Sequence, residues 1–539
     1  MKELALGSAS AFASESDDDH DITVVDDVHE LALNGISSAR PRVRVRHGTV
    51  RGSTATLVNC AVGAGVLATP YAARACGYVG AFVLIASTAI ASAVTLRILV
   101  RAGATFASES FQGLVRDAFG ARASRAVAAT LVAYLFGSCV AYLIIIGDSY
   151  ERVVDGFKNN DDDSTARAFW ETRRCAIVVA ATCVATPLSL ARELTRLAPS
   201  SVIALLALAY TAIAIVIKAV MNSDVDGRST AVAWTLSEES ILAVPIVVFA
   251  FQCHIQVLSI FAELSASEGE GDRSTFDVND EDDELELNDR ARSRDVERRR
   301  VRRMYDVIAY AVGACFVGYA LVGEFAYLAH PDVSSNVLDS YDKRDKVMMV
   351  ATIFMGLNAV VSFPVNHHAA RAAIDDLLAD AFGWARFPPG RAPLARHASQ
   401  TLAFVFLTAF VAFMVNDLGK VFELVGATCG SLVMFVVPAA LLLHPKMRDA
   451  GLSKPSRVDD DLRDLDDVTR NLLSSAMGLL ADDDVSDDVS VSEAVTDAAD
   501  DAEASPKISG AEVGAAALLI VAAFVAMSNV YVLFFRRDA

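Results

Sequence analysis

Apolar residues in this chain come in runs of about 20, the length a helix needs to cross a bilayer, and polar residues collect in the gaps between the runs. The pattern predicts eleven helical spans, near residues 53–73, 79–100, 126–148, 175–191, 199–220, 240–262, 304–328, 346–369, 398–415, 421–443 and 511–535. Two of these runs are interrupted. In the first, Asn59-Cys60-Ala61-Val62-Gly63-Ala64-Gly65 sets two glycines and an amide where the helix should be continuous. A glycine costs about 1 kcal/mol in a helix interior, and unpaired backbone in lipid costs several more, so such a break persists where it lines a cavity. The sixth run carries Pro245, Gln252, His254 and Gln256, all expensive in lipid.

Five spans, five more and one extra fit two inverted repeats, because an odd number of spans per repeat reverses its orientation. The interruptions then fall at equivalent positions, in spans one and six, where transporters of this architecture place their substrate at the membrane midplane. The organisation expected is a tail over residues 1–50, a ten-helix core over 51–445, a charged loop at 265–303 within that core, an acidic linker over 446–510 and an eleventh helix over 511–535.

Composition agrees, with 53% hydrophobic residues and a mean hydropathy of +0.38. The net charge of −20 reflects acids outside the spans, in Glu15 to Asp27, Glu268 to Asp289 and Asp459 to Glu503, which read as solvated, disordered segments. No basic patch alternates with aromatic residues, which sets a nucleic-acid partner aside; the partners expected are membrane lipid and a small substrate, with the oligomeric state left open. Most Lys and Arg fall on the side of the N-terminus, including Arg40 to Arg46 just before the first span, so the N-terminus is expected in the cytosol and the C-terminus outside it. Arg173 and Arg174 run against that rule. The start of the chain lacks a basic stretch followed by an apolar core, so the first span is expected to act as the targeting signal. The eight cysteines lie in or beside spans without a CxxC pair and read as small packing residues; no cofactor is expected.

An unwound segment exposes amide N–H groups, which suit a carboxylate, and carbonyls, which suit an ammonium group or a cation. Gly63, Ala64 and Gly65 are therefore assigned to a substrate carboxylate, and the carbonyls and side chains of Phe251, Cys253 and His254 to its amine and pocket. Tyr142, mid-span in the third helix, is expected to line the cavity, whereas Asp148 reads as a cap at that helix's outer end. Asn59 offers a side-chain oxygen to a coupling cation. In span eight Thr352 and Asn358 are six residues apart and point opposite ways, so one helix cannot present both to one ion. Thr352 is chosen as Asn59's partner, which makes Asn59 and Thr352 a candidate sodium site. Glu324, late in span seven, is a candidate protonatable acid.

At these residues the sequence resembles the amino acid/auxin permease family, especially its sodium-coupled neutral amino acid transporters and its fungal and plant vacuolar amino acid transporters. Asn59, Gly63, Gly65 and Leu67 are similar to that family's N-x-x-x-G-x-G-x-L stretch, Gly137 to Asp148 to its third-helix signature, and Phe249 to His254 with Val257, Leu258, Glu263 and Leu264 to its sixth-helix motif. Pro187-Leu188, Ser335 to Leu338, Phe363-Pro364 and Val425 to Thr428 fit further pieces. The resemblance implies a LeuT-like all-α membrane fold of eleven helices, with helices one and six broken, working by alternating access as a symporter or antiporter of neutral amino acids with sodium or protons. Met355 and Leu357 stand where sodium-coupled members carry a threonine-bearing stretch, which favours protons.

The reading is a cation-coupled secondary transporter of neutral L-amino acids in a vacuolar, lysosomal or plasma membrane. The alternative is an amino acid sensor that signals through its cytosolic tails with little net flux. An enzyme is not expected, because no Ser/His/Asp arrangement, HExxH or carboxylate pair lies within the spans, and no phosphate-binding G-x-x-x-x-G-K-[ST] loop occurs.

Overall fold

The computed structural model describes residues 49–158, 169–191, 200–221, 231–264, 282–383, 393–415, 417–447, 514 and 516–521. The expected tail, nearly all of the acidic linker and most of the eleventh helix lie outside the described residues.

The first run folds as α1 (Val50–Ala61), a 3-10 turn over Ala64–Ala68 and α2 (Thr69–Cys76). The two halves, Val50–Ala61 and Gly65–Cys76, meet at 51°. There follow α3 (Tyr78–Phe106), a short α4 (Phe111–Phe119), α5 (Ala121–Phe157), α6 (Arg173–Leu190) and α7 (Ser200–Met221). The sixth run becomes α8 (Glu238–Ala250) and α9 (Val257–Glu263), with Phe251–Gln256 outside either helix. The chain continues with α10 (Asp282–Ala329), α11 (Lys346–Phe382), α12 (Leu394–Met414) and α13 (Leu418–Leu443). No strand occurs among the described residues. Seven of these helices are long and apolar enough to cross a membrane, eight if the bent first pair is one span, with Leu205–Met221 and Glu239–Ala250 apolar but shorter.

Spacing explains which faces are buried. On α3 the buried residues Ala81, Ile85, Thr88, Ser92, Thr95 and Leu99 recur every three or four positions, so small side chains line one face and neighbouring helices approach closely. α11 starts at Asp345, which accepts hydrogen bonds from the Val347 and Met348 amides at 2.9 and 3.3 Å and pairs with Lys218 of α7 at 2.5 Å. Burial raises the Asp345 carboxyl, but the Lys218 ammonium and the two amides outweigh it and hold the group below its usual range.

Several helices outlast the apolar windows that predict them. α5 and α11 have 37 residues each and α10 has 48. Hydropathy marks the part of a helix that lipid must cover, while helix-forming residues carry the element on into water. Residues 282–303, expected as loop, are therefore helical: they contain no Pro or Gly and carry i,i+3 pairs, Arg298 with Asp295 and Arg300 with Glu297, both at 3.6 Å. α4 was not expected either; Phe111, Leu114 and Val115, at spacings of three and four, bury its single apolar side.

The helices associate in two groups. In one, α10 packs along α1, α2 and α3, and α8 against α2, which unites the first, second, sixth and seventh runs. In the other, α5 and α11 run antiparallel along most of their length, with α6 and α12 beside them. α7 and α13 bridge the groups. Gly426 sits at the start of a π-helical stretch of α13, where an added Cβ would fall 2.0 Å from the Pro245 carbonyl oxygen, so α13 lies directly on the backbone of α8.

Candidate functional site

Both interruptions converge on one residue of α10. Tyr319 is fully buried, and its hydroxyl is within 2.9 Å of the Ala61 carbonyl and 2.8 Å of the Ala250 carbonyl. These are the last residues of α1 and α8, whose carbonyls have lost the partner a continuing helix would supply, although the Ala61 carbonyl also accepts from the Gly63 amide at 2.8 Å. A phenol has one proton to donate, so at any instant it serves one of the two carbonyls. The Tyr319 ring packs edge-on against Phe251 at 5.0 Å.

The segment Phe251–Gln256 is gripped from α3. Ser92 donates to the Phe251 carbonyl at 3.5 Å, and Thr95 Oγ1 lies 2.8 Å from His254 Nε2. Since Thr95 also donates to the Ala91 carbonyl at 2.8 Å, its oxygen accepts from a His254 imidazole protonated on Nε2. His254 Nδ1 has no hydrogen-bond partner among the described residues.

Between the two groups of helices lies a narrow pocket of about 20 Å³. Cys60, Ala61, Gly63 and Gly65 come from the first interruption; Phe249, Gln252 and Gln256 come from the second. The opposite wall is Tyr134, Ser138 and Tyr142 of α5 with Asn366 of α11. Tyr142 faces Ser362 and Asn366. Its hydroxyl would be 3.0 Å from a Cβ added at Gly63, so the two glycines act differently. Gly63 leaves room over Tyr142. At Gly65 a Cβ would fall 2.7 Å from Ala250 Cα, and its absence lets the broken first span touch the end of α8. Gln252 is 3% exposed, and neither its amide nitrogen nor its oxygen has a partner among the described residues. A buried carboxamide with both functions unspent is an incomplete hydrogen-bond set beside an empty volume.

A family model described as transmembrane amino acid transporter protein matches residues 46–271 and 292–449. The chain belongs to this family. This transporter is similar to the sodium-coupled neutral amino acid transporter 7 of Danio rerio, 25% identical over 417 residues that cover 74% of this chain and 81% of that protein. It is also similar to vacuolar amino acid transporter 2 of Saccharomyces cerevisiae, 23% identical over 408 residues that cover 75% of this chain and 78% of the yeast protein. Among solved structures, the inward-facing conformation of Mhp1 aligns with a TM-score of 0.43 and 10% identity, covering 72% of this chain and 76% of that one.

Of the residues expected to bind substrate in this transporter, Gly63, Gly65 and Tyr142 line the pocket together. Ala64 opens the 3-10 turn between the two glycines. Phe251, Cys253 and His254 are buried behind the wall and do not line it. Asn59, half-buried, and Thr352 are likewise not lining residues. Thr352 donates to the Met348 carbonyl at 2.8 Å, and the 14 residues between it and Asn366 correspond to about 20 Å of helix rise. Asp148, expected as a terminal cap, instead lies within α5, which runs on to Phe157, and pairs with Arg173 at 2.5 Å. The same pair gives Arg173 a reason to stand on the side where the charge rule disfavours it.

Sequence reasoning missed Gln252, Asn366 and Tyr319. Gln252 stood in the interruption already singled out for its glutamines. Nothing in the spacing of α10 distinguishes Tyr319 from the other tyrosines of that helix.

Proposed function

We propose that the protein is a cation-coupled secondary transporter of neutral L-amino acids, and that the substrate binds in the pocket between the two interruptions. The observation that carries this reading is the unsatisfied Gln252 carboxamide in a pocket that also offers the Ala61 backbone and the Tyr142 hydroxyl. The Ala64 and Gly65 amides, at the start of the 3-10 turn, take the substrate carboxylate, with Gln252 completing its hydrogen bonds. The Ala61 carbonyl, which Tyr319 and the Gly63 amide also approach, is the pocket's acceptor for the ammonium group.

The composition of the pocket's walls supports alternating access. One wall belongs to the first group of helices and the other to the second, so rocking one group against the other exposes the pocket to each side in turn. The equivalence of spans one and six, each stopping at a carbonyl held by Tyr319, supports an inverted 5+5 repeat with an eleventh helix outside it. The N-terminus is assigned to the cytosol and the C-terminus to the other side.

Asn59 and Thr352 are retained as the candidate sodium ligands and Glu324 as the candidate proton carrier. Glu324 is half-buried on α10, with Oε1 lacking a partner among the described residues. The test is uptake of labelled glutamine, alanine and leucine into proteoliposomes under an imposed sodium or pH gradient. Uptake driven by pH, indifferent to sodium and lost in Glu324→Gln, supports proton coupling. Sodium-driven uptake lost in Asn59→Ala supports a sodium symporter. Saturable binding without flux under either gradient refutes the transport reading.

A further inference from the structure

α3 supplies none of the residues that line the central pocket, yet it meets the second interruption from behind. Ser92 and Thr95, both fully buried, stand three residues apart on its packed face and reach Phe251 and His254. Two turns further on, a Cβ added at Gly103 would fall 2.5 Å from Leu258 Cδ2, so the missing side chain lets the start of α9 settle on α3.

The two polar ties are unequal. The Phe251 carbonyl also accepts from the Cys253 amide at 3.1 Å, so it is satisfied without Ser92, whose contact is 3.5 Å long. His254 has no such reserve. Thr95 spends its own proton within α3, on the Ala91 and Ser92 carbonyls at 2.8 and 3.1 Å, and its oxygen accepts the Nε2 proton of His254. Without that oxygen neither tautomer is satisfied. A proton on Nε2 would face apolar surroundings, and a proton on Nδ1 finds no hydrogen-bond partner among the described residues.

The backbone that carries the imidazole is irregular. Its turn bonds, from the Gln252 amide to the Phe249 carbonyl at 3.2 Å and from the Gln256 amide to the Cys253 carbonyl at 3.3 Å, hold its shape but not its rotation against α3. Gln252 stands two residues before His254 on that backbone and lines the pocket. We propose that Thr95 is a positioning residue for the substrate: through His254 it sets the rotation of the second interruption and so aims the Gln252 carboxamide into the pocket. The proposal rests on the reading of Gln252 as a partner of the substrate carboxylate, and adds that its aim is set from a helix outside the pocket. Every α-amino acid carries that carboxylate. A misaimed Gln252 therefore weakens all substrates by one factor, whereas a reshaped pocket weakens them by factors that depend on the side chain.

The experiment measures equilibrium binding of labelled glutamine, alanine and leucine to the purified full chain, together with their uptake into proteoliposomes. Thr95→Val should weaken binding and raise KM by about tenfold for all three amino acids, while the maximal rate holds. Thr95→Ser, which keeps the oxygen, should restore both. Thr88→Val is the control, because Thr88 stands two turns earlier on α3 and donates in the same way to the Leu84 carbonyl, at 2.8 Å; its KM should stay at the wild-type value. In a Gln252→Ala background, Thr95→Val should change KM by less than about twofold, since the group it aims is gone. If Thr95→Val does not fold, Thr95→Cys, whose sulfur is a weak acceptor, supplies the same comparison with the packing nearly kept. Unequal factors across the three amino acids, effects of Thr95→Val and Gln252→Ala that multiply, or an unchanged KM in folded Thr95→Val overturn the proposal and leave the transport reading in place. Wild-type affinity in Gln252→Ala removes the carboxylate reading and the proposal together, and a wild type that neither binds nor takes up the three amino acids removes the transport reading as well.

Discussion

Replacing Tyr319 by Phe removes one oxygen and almost nothing else. The ring keeps its edge-on packing against Phe251, and the site is fully buried, so water cannot take over the lost hydrogen bond. Two carbonyls, those of Ala61 and Ala250, lose their shared donor. The Ala61 carbonyl keeps its bond from the Gly63 amide at 2.8 Å, but leaving the buried Ala250 carbonyl unsatisfied costs about 1–3 kcal/mol, and this cost falls on the arrangement in which both breaks meet α10. If substrate binds that arrangement, the variant reduces its population, and KM rises by about 5- to 150-fold. The assay is uptake kinetics together with thermal unfolding in detergent. Tyr327→Phe is the control, since Tyr327 lies two turns along α10 and accepts from the Val232 amide at 3.1 Å, away from the pocket. Both variants should lose stability, and only Tyr319→Phe should move KM. An unchanged KM and melting temperature in Tyr319→Phe, or an equal KM effect in Tyr327→Phe, refutes the role given to this hydroxyl.

Three further outcomes follow from the same contacts. Gly65→Ala should unfold or inactivate the protein, because its Cβ meets the Ala250 backbone at 2.7 Å, whereas Gly63→Ala meets a side-chain hydroxyl at 3.0 Å and should fold normally with weakened substrate binding; comparison of melting curves and uptake separates the two. Gln252→Ala should raise KM by about tenfold while stability stays level or improves, since an unsatisfied buried carboxamide contributes little to the fold; a large stability loss would show that its amide is structurally engaged. Asp345→Asn should cost about 1 kcal/mol by weakening the α11 cap and the Lys218 pair. Because the Asp345 carboxyl is depressed on folding, its contribution is present above the unfolded value of about 3.9 and is lost as pH falls through the lower folded value, so the gap between wild type and variant should hold from neutral pH to about 5 and narrow only in stronger acid.

The helical membrane class was legible because lipid imposes a length and a polarity on every span, and a twenty-residue run records both. The two places where the chain interrupts its own pattern were legible for the same reason, as residues lipid penalises. Helix ends were less so. Residues 282–303 carry enough charge to read as solvated loop, yet charge and helicity are compatible, and Arg300 has a specific task there: its guanidinium donates to the carbonyls of Phe261, Ala262 and Leu264 at the end of α9, at 2.6 to 3.1 Å. In the site, the sequence pointed to Gly63, Gly65 and Tyr142, which share the pocket. It pointed equally to Phe251, Cys253 and His254, which lie behind Gln252. Within an irregular segment no period says which side chains face inward, and the tether from Ser92 and Thr95 that sets the rotation comes from a helix more than 150 residues away.

α10 has a position that neither interruption alone would suggest. In its N-terminal half Arg300 holds the last carbonyls of α9, and further along Tyr319 holds the last carbonyls of α1 and α8. One continuous helix is thereby fastened to two of the four helical ends that frame the interruptions and to the far end of α9. If the first group of helices rocks against α5 and α11 during transport, these bonds keep the two interruptions moving together, so the substrate's carboxylate partners and ammonium partners stay in register while access changes. The alternative, in which each interruption opens on its own, requires the Tyr319 bonds to break in every cycle at the cost worked out above. Crosslinking a cysteine pair placed between the ends of α1 and α8 distinguishes the two: uptake that survives the crosslink fits the joint movement, and uptake abolished by it fits independent opening.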